Sequence, residues 1–266
     1  MYFPTRIVCL TTETTEVLYL LGEQARIVGI SGYTTRPAIA RLEKPKVAAF
    51  TTAHIDKILA LEPDLVIGFS NLQADIAAAL IKSGVQVHIF NQRSIQETLA
   101  TINLIGALVG VADKSEKLVI ELENIIKLAQ SAGSKTTIKP TVYFEEWNEP
   151  MITGIKWVSE LIEIAGGVDC FAELSKFQSA SKRTIQANEV VQRKPDIIIG
   201  SWCGKKFQPA IVSRRDHWHT IPAVMHGFVR EIKSVDILQP GPSLFTHGLQ
   251  QIQTIIQEWH TLNHQH

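Results

Sequence analysis

Two adjacent acids and one cysteine are the residues whose types could support catalysis. Glu145 and Glu146 invite a general acid–base interpretation. Successive side chains of a strand point to opposite faces, so we expect one acid to face a ligand and the other to form a cap or salt bridge. Cys203 would need a histidine base within hydrogen-bond reach, and no spacing in the sequence supplies one. The residues therefore favour binding over catalysis, with an enzyme using Glu145, Glu146 or Cys203 as the alternative.

Metal and phosphate sites find little support in the spacing of residues. His217 and His219 flank a tryptophan, and His260 and His264 lie one helical turn apart near the chain end, so we expect solvated surface histidines. The segment 200–206 (GSWCGKK) is one residue too short between its glycines for a phosphate loop and lacks the Ser/Thr after its first lysine. We expect no metal site and no intrinsic cofactor.

Composition limits the classes of partner. The 266 residues carry 26 basic and 26 acidic side chains, and this balance argues against nucleic acid. Three separated cysteines do not form a disulfide framework. No apolar stretch approaches the ~18 residues of a membrane span, so membrane insertion is not expected. No secretory signal is visible, which predicts a cytoplasmic protein as written, or a periplasmic one if a signal was removed.

A repeated phrase indicates two similar lobes. Residues 59–68 read LALEPDLVIG and residues 190–200 read VVQRKPDIIIG, with Pro63 and Pro195 132 positions apart (195 − 63). Helices rarely run through the residue before proline, and a Val/Leu/Ile triplet ending at glycine is typical of a buried parallel strand. Each copy therefore predicts a helix, a Pro-Asp turn and a buried strand. Two such lobes imply a cleft between them.

The elements around the repeat predict an α/β protein with two doubly wound parallel-sheet lobes. Strands are expected at 6–10, 27–30, 47–50, 65–68, 87–90, 141–145, 197–200 and 228–232. Residues 113–132 have helical periodicity and alternating charges, which predicts one long rigid helix joining the lobes. The expected domains are an N-terminal lobe at 1–110, a linking helix at 111–134 and a C-terminal lobe at 135–266.

Loops after the carboxyl ends of parallel strands line ligand clefts, and here they carry aromatic and polar side chains. Aromatic faces suit a large planar or amide-rimmed ligand, while hydroxyl, carboxyl and backbone groups would bond its rim. The predicted ligand contacts are Thr12, Glu13, Tyr33, Phe50, Glu146, Trp147, Trp202, Cys203, Gln239, Pro240 and Gly241.

Six segments together resemble the substrate-binding proteins that serve ABC importers of cobalamin, haem and iron–siderophores. They are RIVCLTTETTEVLYLLG, VGISGYTTRP, KILALEPDLVIG, EEWNEPMITGIKWVSELIEIAGG, KPDIIIGSWCG and LQPGPSLFTHGLQQI. The resemblance covers nearly the whole chain and implies two α/β lobes bridged by one rigid helix. It also implies a corrinoid ligand such as cobalamin, captured between the lobes, with Tyr33 lining the cleft.

The chain departs from this family at the places that dock on a transporter. The resemblance implies an ABC permease as partner, gripped through one exposed acid on each lobe. Ala74 stands at the first of these positions, with Asp75 beside it, and Gln239 stands near the second. Two tryptophans that the resemblance implies are replaced here by Phe50 in the first lobe and Ile237 in the second. These departures fit a cytosolic relative that binds a ligand without feeding a permease. We expect the protein to be a monomer.

The main rival within the binding class is an iron–siderophore, haem or other anionic chelate. Such a ligand would require several cationic side chains at the cleft. Only three are well placed: Arg36, Lys205 and Lys206. A corrinoid is therefore the favoured ligand.

Overall fold

The structure is a computed structural model that describes residues 3–263 and divides into two compact units. The first unit holds the chain through Gln92 together with Gln96–Leu122 and Pro240–Pro242. The second holds Arg93–Ile95, Glu123–Gln239 and the chain from Ser243 onward. Among residues 3–263, no helix combines the length and the apolar character that crossing a bilayer requires.

The first unit contains a five-stranded parallel sheet in the order β3-β2-β1-β4-β5. Its strands are β1 (Ile7–Cys9), β2 (Ile27–Ser31), β3 (Lys46–Ala48), β4 (Leu65–Phe69) and β5 (Val87–Phe90). The chain winds outward from β1 in both directions, which confirms the doubly wound arrangement expected from the sequence. β1 and β4 are buried along their whole length, as strands covered by helices on both faces must be.

Six α-helices accompany this sheet among the described residues. They are α1 (Thr12–Leu20), α2 (Ala40–Glu43), α3 (Ile55–Leu59), α4 (Ala74–Lys82), α5 (Ile95–Leu108) and α6 (Ala112–Gly133). The 22-residue α6 confirms the long helix predicted at 113–132. Its residues through Leu122 belong to the first unit and those from Glu123 to the second. A separate linking domain at 111–134 stays a prediction.

The sheet of the second unit is mixed, which corrects the expectation of an all-parallel lobe. Its strands are β6 (Thr141–Asn148), β7 (Met151–Thr153), β8 (Val168–Asp169), β9 (Ile197–Gly200) and β10 (Val229–Glu231). β10, β9 and β8 run parallel to their neighbours, but β7 pairs with β6 in antiparallel register. The reason is local: β6 continues past Glu145 and turns at Glu149-Pro150, and a two-residue connection joins only antiparallel strands.

Seven further α-helices follow in the part of the second unit that the structure describes. They are α7 (Lys156–Ile164), α8 (Ala172–Ser175), α9 (Ala187–Arg193), α10 (Pro209–Ser213), α11 (Pro222–Met225), α12 (Ser234–Ile237) and α13 (Leu249–Asn263). Residues Leu244–Gly248 form a short π-helical segment that leads directly into α13.

The repeated Pro-Asp phrase has the same structural role in both units. Asp64 accepts hydrogen bonds from the backbone N–H groups of Thr5 and Arg6 at 2.7 and 2.9 Å, just before β1 begins. Asp196 accepts from the N–H and hydroxyl of Thr141, the first residue of β6, both at 2.8 Å. Each aspartate therefore fixes the amino end of the strand that pairs with its own.

Candidate ligand-binding site

The hydroxyl and carboxyl groups that follow β1 lie in the first turn of α1. Thr12 and Glu13 are only 6% and 5% exposed. The Thr12 hydroxyl lies 3.4 Å from Glu13 Oε2, whereas Glu13 Oε1 has no hydrogen-bond partner among the described residues. Burial raises the pKa of Glu13 above its ordinary value, although hydrogen bonds from the backbone and from Thr11 and Thr12 lower it. Glu13 is thus a buried carboxyl that favours its protonated form.

Two aromatic side chains of the first unit present accessible rings. Tyr33, in the loop after β2, is 56% exposed, and Phe50, after β3, is 37% exposed. The ring of Phe50 lies 6.5 Å from that of Phe69, which is 5% exposed. Tyr33 and Phe50 therefore keep the apolar surface that a planar ligand would cover.

Two positioning residues that sequence reasoning missed hold these aromatic loops. Gln73 donates to the carbonyl of Phe50 at 2.9 Å and accepts from the N–H of Phe69 at 2.9 Å. Arg41 donates to the carbonyl oxygens of Gly32 and Thr34 at 2.5 and 2.9 Å, on either side of Tyr33. Gln73 thus ties the loop after β3 to the end of β4, and Arg41 on α2 holds the loop after β2; no periodic signal in the sequence reveals these contacts.

In the second unit, Glu145 is fully buried and held by four donors. Arg215 donates to its two oxygens at 2.5 and 2.9 Å, forming a bidentate ion pair. Trp202 Nε1 and the Tyr143 hydroxyl each donate at 3.0 Å. All four donors serve the carboxylate itself, so Glu145 is committed to this network and is poorly suited to act as a general base.

Glu146 is also paired, so both acids form ion pairs, whereas the sequence predicted one acid facing a ligand and the other in a cap or salt bridge. Arg183, which is 2% exposed, donates to both Glu146 oxygens at 2.6 and 3.2 Å. The same guanidinium donates to the carbonyl of Thr153 on β7. The sequence could not reveal this pair, because its members lie 37 residues apart. The Glu146 side chain keeps 21% of its surface exposed, and ligand contact there stays a prediction.

The two tryptophans of the second unit differ in exposure. Trp202 is 2% exposed, packs its ring edge-on against Phe207 and donates to Glu145. It presents no open face to a ligand, which corrects the flat-contact role expected of it. Trp147 is partly exposed and donates its indole N–H to the carbonyl of Glu149. The Lys205 ammonium lies 5.9 Å from the ring of Trp147 and 5.0 Å from that of Trp202.

Cys203 lies in the exposed loop after β9, next to Trp202. Partial desolvation and the negative charge of Glu146 raise the pKa of its thiol. A raised pKa leaves less of the reactive thiolate at neutral pH. The arrangement argues against a cysteine nucleophile here.

The Pro240–Pro242 turn belongs by its contacts to the first unit, whereas Gln239 belongs to the second. Gln239 is partly exposed, while Pro240 and Gly241 are buried. The carbonyl of Pro240 accepts from Gln92 Nε2 at 3.1 Å. A Cβ built on Gly241 would stand 2.5 Å from Glu13 Cβ, so only glycine permits this approach. The structure thus brings Gly241 against Glu13, two residues that the sequence predicted as contacts of the same ligand.

Two other features of the described residues bear on ligand binding. No group of three His, Cys, Asp or Glu side chains in residues 3–263 is arranged to hold a metal ion; His264 lies outside the described residues. A cavity of about 390 Å³ in the second unit is lined by residues 135–138, Gln257, His260 and Thr261. It contains none of the predicted contact residues.

Comparisons with known proteins identify the family. The profile of the periplasmic binding protein family matches residues 7–235, so the chain belongs to that family of substrate-binding proteins. The lipoprotein YvrC of Bacillus subtilis (strain 168), an uncharacterized ABC transporter substrate-binding protein, is 26% identical over 259 residues, covering 94% of this chain and 79% of its own.

Two further proteins extend the comparison. The vitamin B12-binding protein of Vibrio cholerae serotype O1 is 27% identical over 201 residues, covering 74% of this chain and 70% of its own. The periplasmic heme-binding protein RhuT of Roseiflexus sp. RS-1 superposes with a TM-score of 0.83 at 20% identity, covering 96% of this chain and 98% of that one. The structural likeness confirms the two-lobe α/β fold.

Proposed function

We propose that this chain is the corrinoid-binding protein of an ABC importer, with cobalamin or a related corrinoid as its ligand and no catalytic activity. The similarity to the vitamin B12-binding protein of Vibrio cholerae carries the proposal. The exposed rings of Tyr33 and Phe50 and the partly exposed ring of Trp147 support it, because flat apolar faces suit a corrin ring.

Haem or an iron–siderophore is the second candidate, because solved structures of this fold include a haem-binding protein. An anionic chelate would be held by cations. Lys205 and Lys206 are exposed and follow β9, and Arg36 is partly exposed after β2. Because Lys205 and Lys206 are neighbours, a single loop of the second unit would supply most of the positive charge. Lys205 already lies near two tryptophan rings.

Ligand retention tests the proposal directly. The purified chain is incubated with cobinamide, cobalamin or haem, desalted, and examined by absorbance, since all three ligands are coloured. We expect one corrinoid to be retained and haem to pass through. Retention of haem alone would replace the corrinoid with the second candidate, and retention of none would refute both.

Matched variants locate the contacts. Tyr33→Ala, Phe50→Ala and Trp147→Ala each remove a ring that the ligand is proposed to cover, and we expect each to weaken corrinoid binding about 10-fold. Leu128→Ala is the control, because Leu128 is a 73% exposed apolar residue on α6. Equal affinities in all four variants would contradict the placement of the ligand.

Delivery to a permease and a monomeric state are part of the same proposal. Ala74 and Asp75 are both exposed at the start of α4, and Gln239 is partly exposed. Neither Ala74 nor Gln239 supplies the carboxylate that a charge-assisted bond to a transporter arginine requires. We therefore expect weaker docking on a permease than in relatives that carry both acids, and elution as a monomer in size-exclusion chromatography.

A further inference from the structure

Two buried acceptor oxygens in the first unit lack hydrogen-bond partners and lie near the same short turn. Glu13 Oε1 and Gln92 Oε1 have no partner among the described residues, and their side chains are 5% and 3% exposed. Gln92 bonds the carbonyl of Pro240, and Gly241 stands against the Cβ of Glu13. Buried polar side chains are nearly always paired in folded proteins. Two unpaired oxygens beside one turn therefore point to a group that binds there.

The chemistry of the two side chains indicates which group would fit. Glu13 follows β1 and Gln92 follows β5, so both stand at the carboxyl edge of one parallel sheet. Burial favours the neutral carboxyl of Glu13, which offers one O–H donor and acceptor oxygens. Gln92 Oε1 is an acceptor only. A primary carboxamide, with two N–H donors and one carbonyl acceptor, matches this set, whereas a carboxylate brings only acceptors and a charge.

The Pro240 carbonyl already shows how such a group would be bound. It is itself an amide carbonyl, and it accepts from Gln92 Nε2 at 3.1 Å. A carboxamide that replaces it keeps this hydrogen bond and adds N–H donors for the oxygens of Glu13 and Gln92. The exchange requires the Pro240–Pro242 turn to move away from the Gln92 amide.

We infer that Glu13 and Gln92 form a polar subsite that binds a primary carboxamide arm of the ligand and discriminates against carboxylate arms. This inference rests on the proposed corrinoid function and adds a chemical criterion to it. Corrinoids that carry amide arms would be selected over ligands of similar size that carry carboxylates, haem among them.

The test compares two corrinoids with the same ring: dicyanocobinamide, which carries amide arms, and dicyanocobyrinic acid, which carries carboxylates. Their affinities for the full chain are measured by absorbance titration. We expect the wild-type chain to prefer the amide form about 10-fold, the equivalent of one hydrogen bond. Glu13→Leu and Gln92→Leu should each remove this preference. Glu13→Gln, which keeps a donor and an acceptor, should retain it, as should Glu121→Gln at an exposed position on α6.

Unfolding in urea separates binding from folding. The Glu13 carboxyl is buried and incompletely paired, so its replacement in Glu13→Leu should not lower the unfolding midpoint. A lowered midpoint with unchanged selectivity for amide arms would assign Glu13 a purely structural role and overturn the inference. If Glu13→Leu does not fold, Gln92→Leu decides the question by the same readouts. If the wild-type chain binds both corrinoids with equal affinity, the inference about the subsite is overturned while the proposed function stands. Binding of neither corrinoid overturns the proposed function together with it.

Discussion

Replacing Arg215 with methionine would measure how much the buried network around Glu145 stabilises the second unit. In this variant the fully buried Glu145 loses both guanidinium donors, which lie 2.5 and 2.9 Å from its carboxylate oxygens. Breaking a buried ion pair on one side costs about 3–5 kcal/mol. The bonds from Trp202 and Tyr143 remain, so we expect the lower end, about 3 kcal/mol. Methionine keeps apolar contact with Trp218, whose ring centroid lies 4.6 Å from the Arg215 guanidinium.

Urea unfolding of a double-mutant cycle measures this cost. In the variant Glu145→Gln/Arg215→Met no charge is left buried, and the amide can still accept from Trp202, so we expect a loss of only about 1–2 kcal/mol. Lys127→Met, in a solvent-exposed pair with Glu123, is the control and should change the free energy of unfolding by less than about 0.5 kcal/mol. If the double variant is as unstable as the sum of the single variants, the pair is not coupled and the reasoning fails.

Three other changes test separate parts of the structure. Asp64→Asn should lower the free energy of unfolding by about 1–2 kcal/mol at pH 7. Hydrogen bonds lower the pKa of Asp64 despite the opposing effect of burial, so the difference from wild type should vanish in acid. Gly200→Ala should cost about 1–3 kcal/mol, because its Cβ would lie 1.8 Å from the Phe207 ring; an unchanged urea midpoint would refute this packing. Glu13 has a raised pKa, so its native form binds more protons and wild-type stability should fall relative to Glu13→Gln as pH rises from 4 to 8. A constant difference would show that Glu13 titrates normally.

The sequence predicted the strands of the first unit because each is a short run that contains Val or Ile, residues that favour strands. It missed β7, which has only three residues and forms its hairpin through a turn inside a segment read as loop. It also placed the end of β6 at Glu145, since the apolar run of residues 142–144 gives way to two acids there. Strand pairing depends on tertiary neighbours, and a pattern along one chain cannot reveal them.

The sequence predicts which loops carry the candidate site, but it does not predict which side chains form hydrogen bonds there. The loops after the strands could be located from the order of elements, which is why the rings of Tyr33 and Phe50 could be placed after β2 and β3; their contact with a ligand stays a prediction. The burial of Trp202 depends on Phe207 and Glu145, the latter 57 residues away in sequence. Gln92 went unnoticed for the same reason: its bond to Pro240 spans 148 residues. Long-range hydrogen bonds of single side chains leave no periodic signal.

The two ends of each sheet carry different tasks, and this separation makes stability and affinity independently testable. Asp64 and Asp196 fix the amino ends of strands, whereas the proposed contacts follow the carboxyl ends. Asp64→Asn should therefore lower stability and leave corrinoid affinity unchanged, and Tyr33→Ala should do the reverse. Arg215→Met should lower both, because Glu145 bonds Trp202 in the same loop as Cys203. Loss of affinity in Asp64→Asn under fully folded conditions would contradict this division.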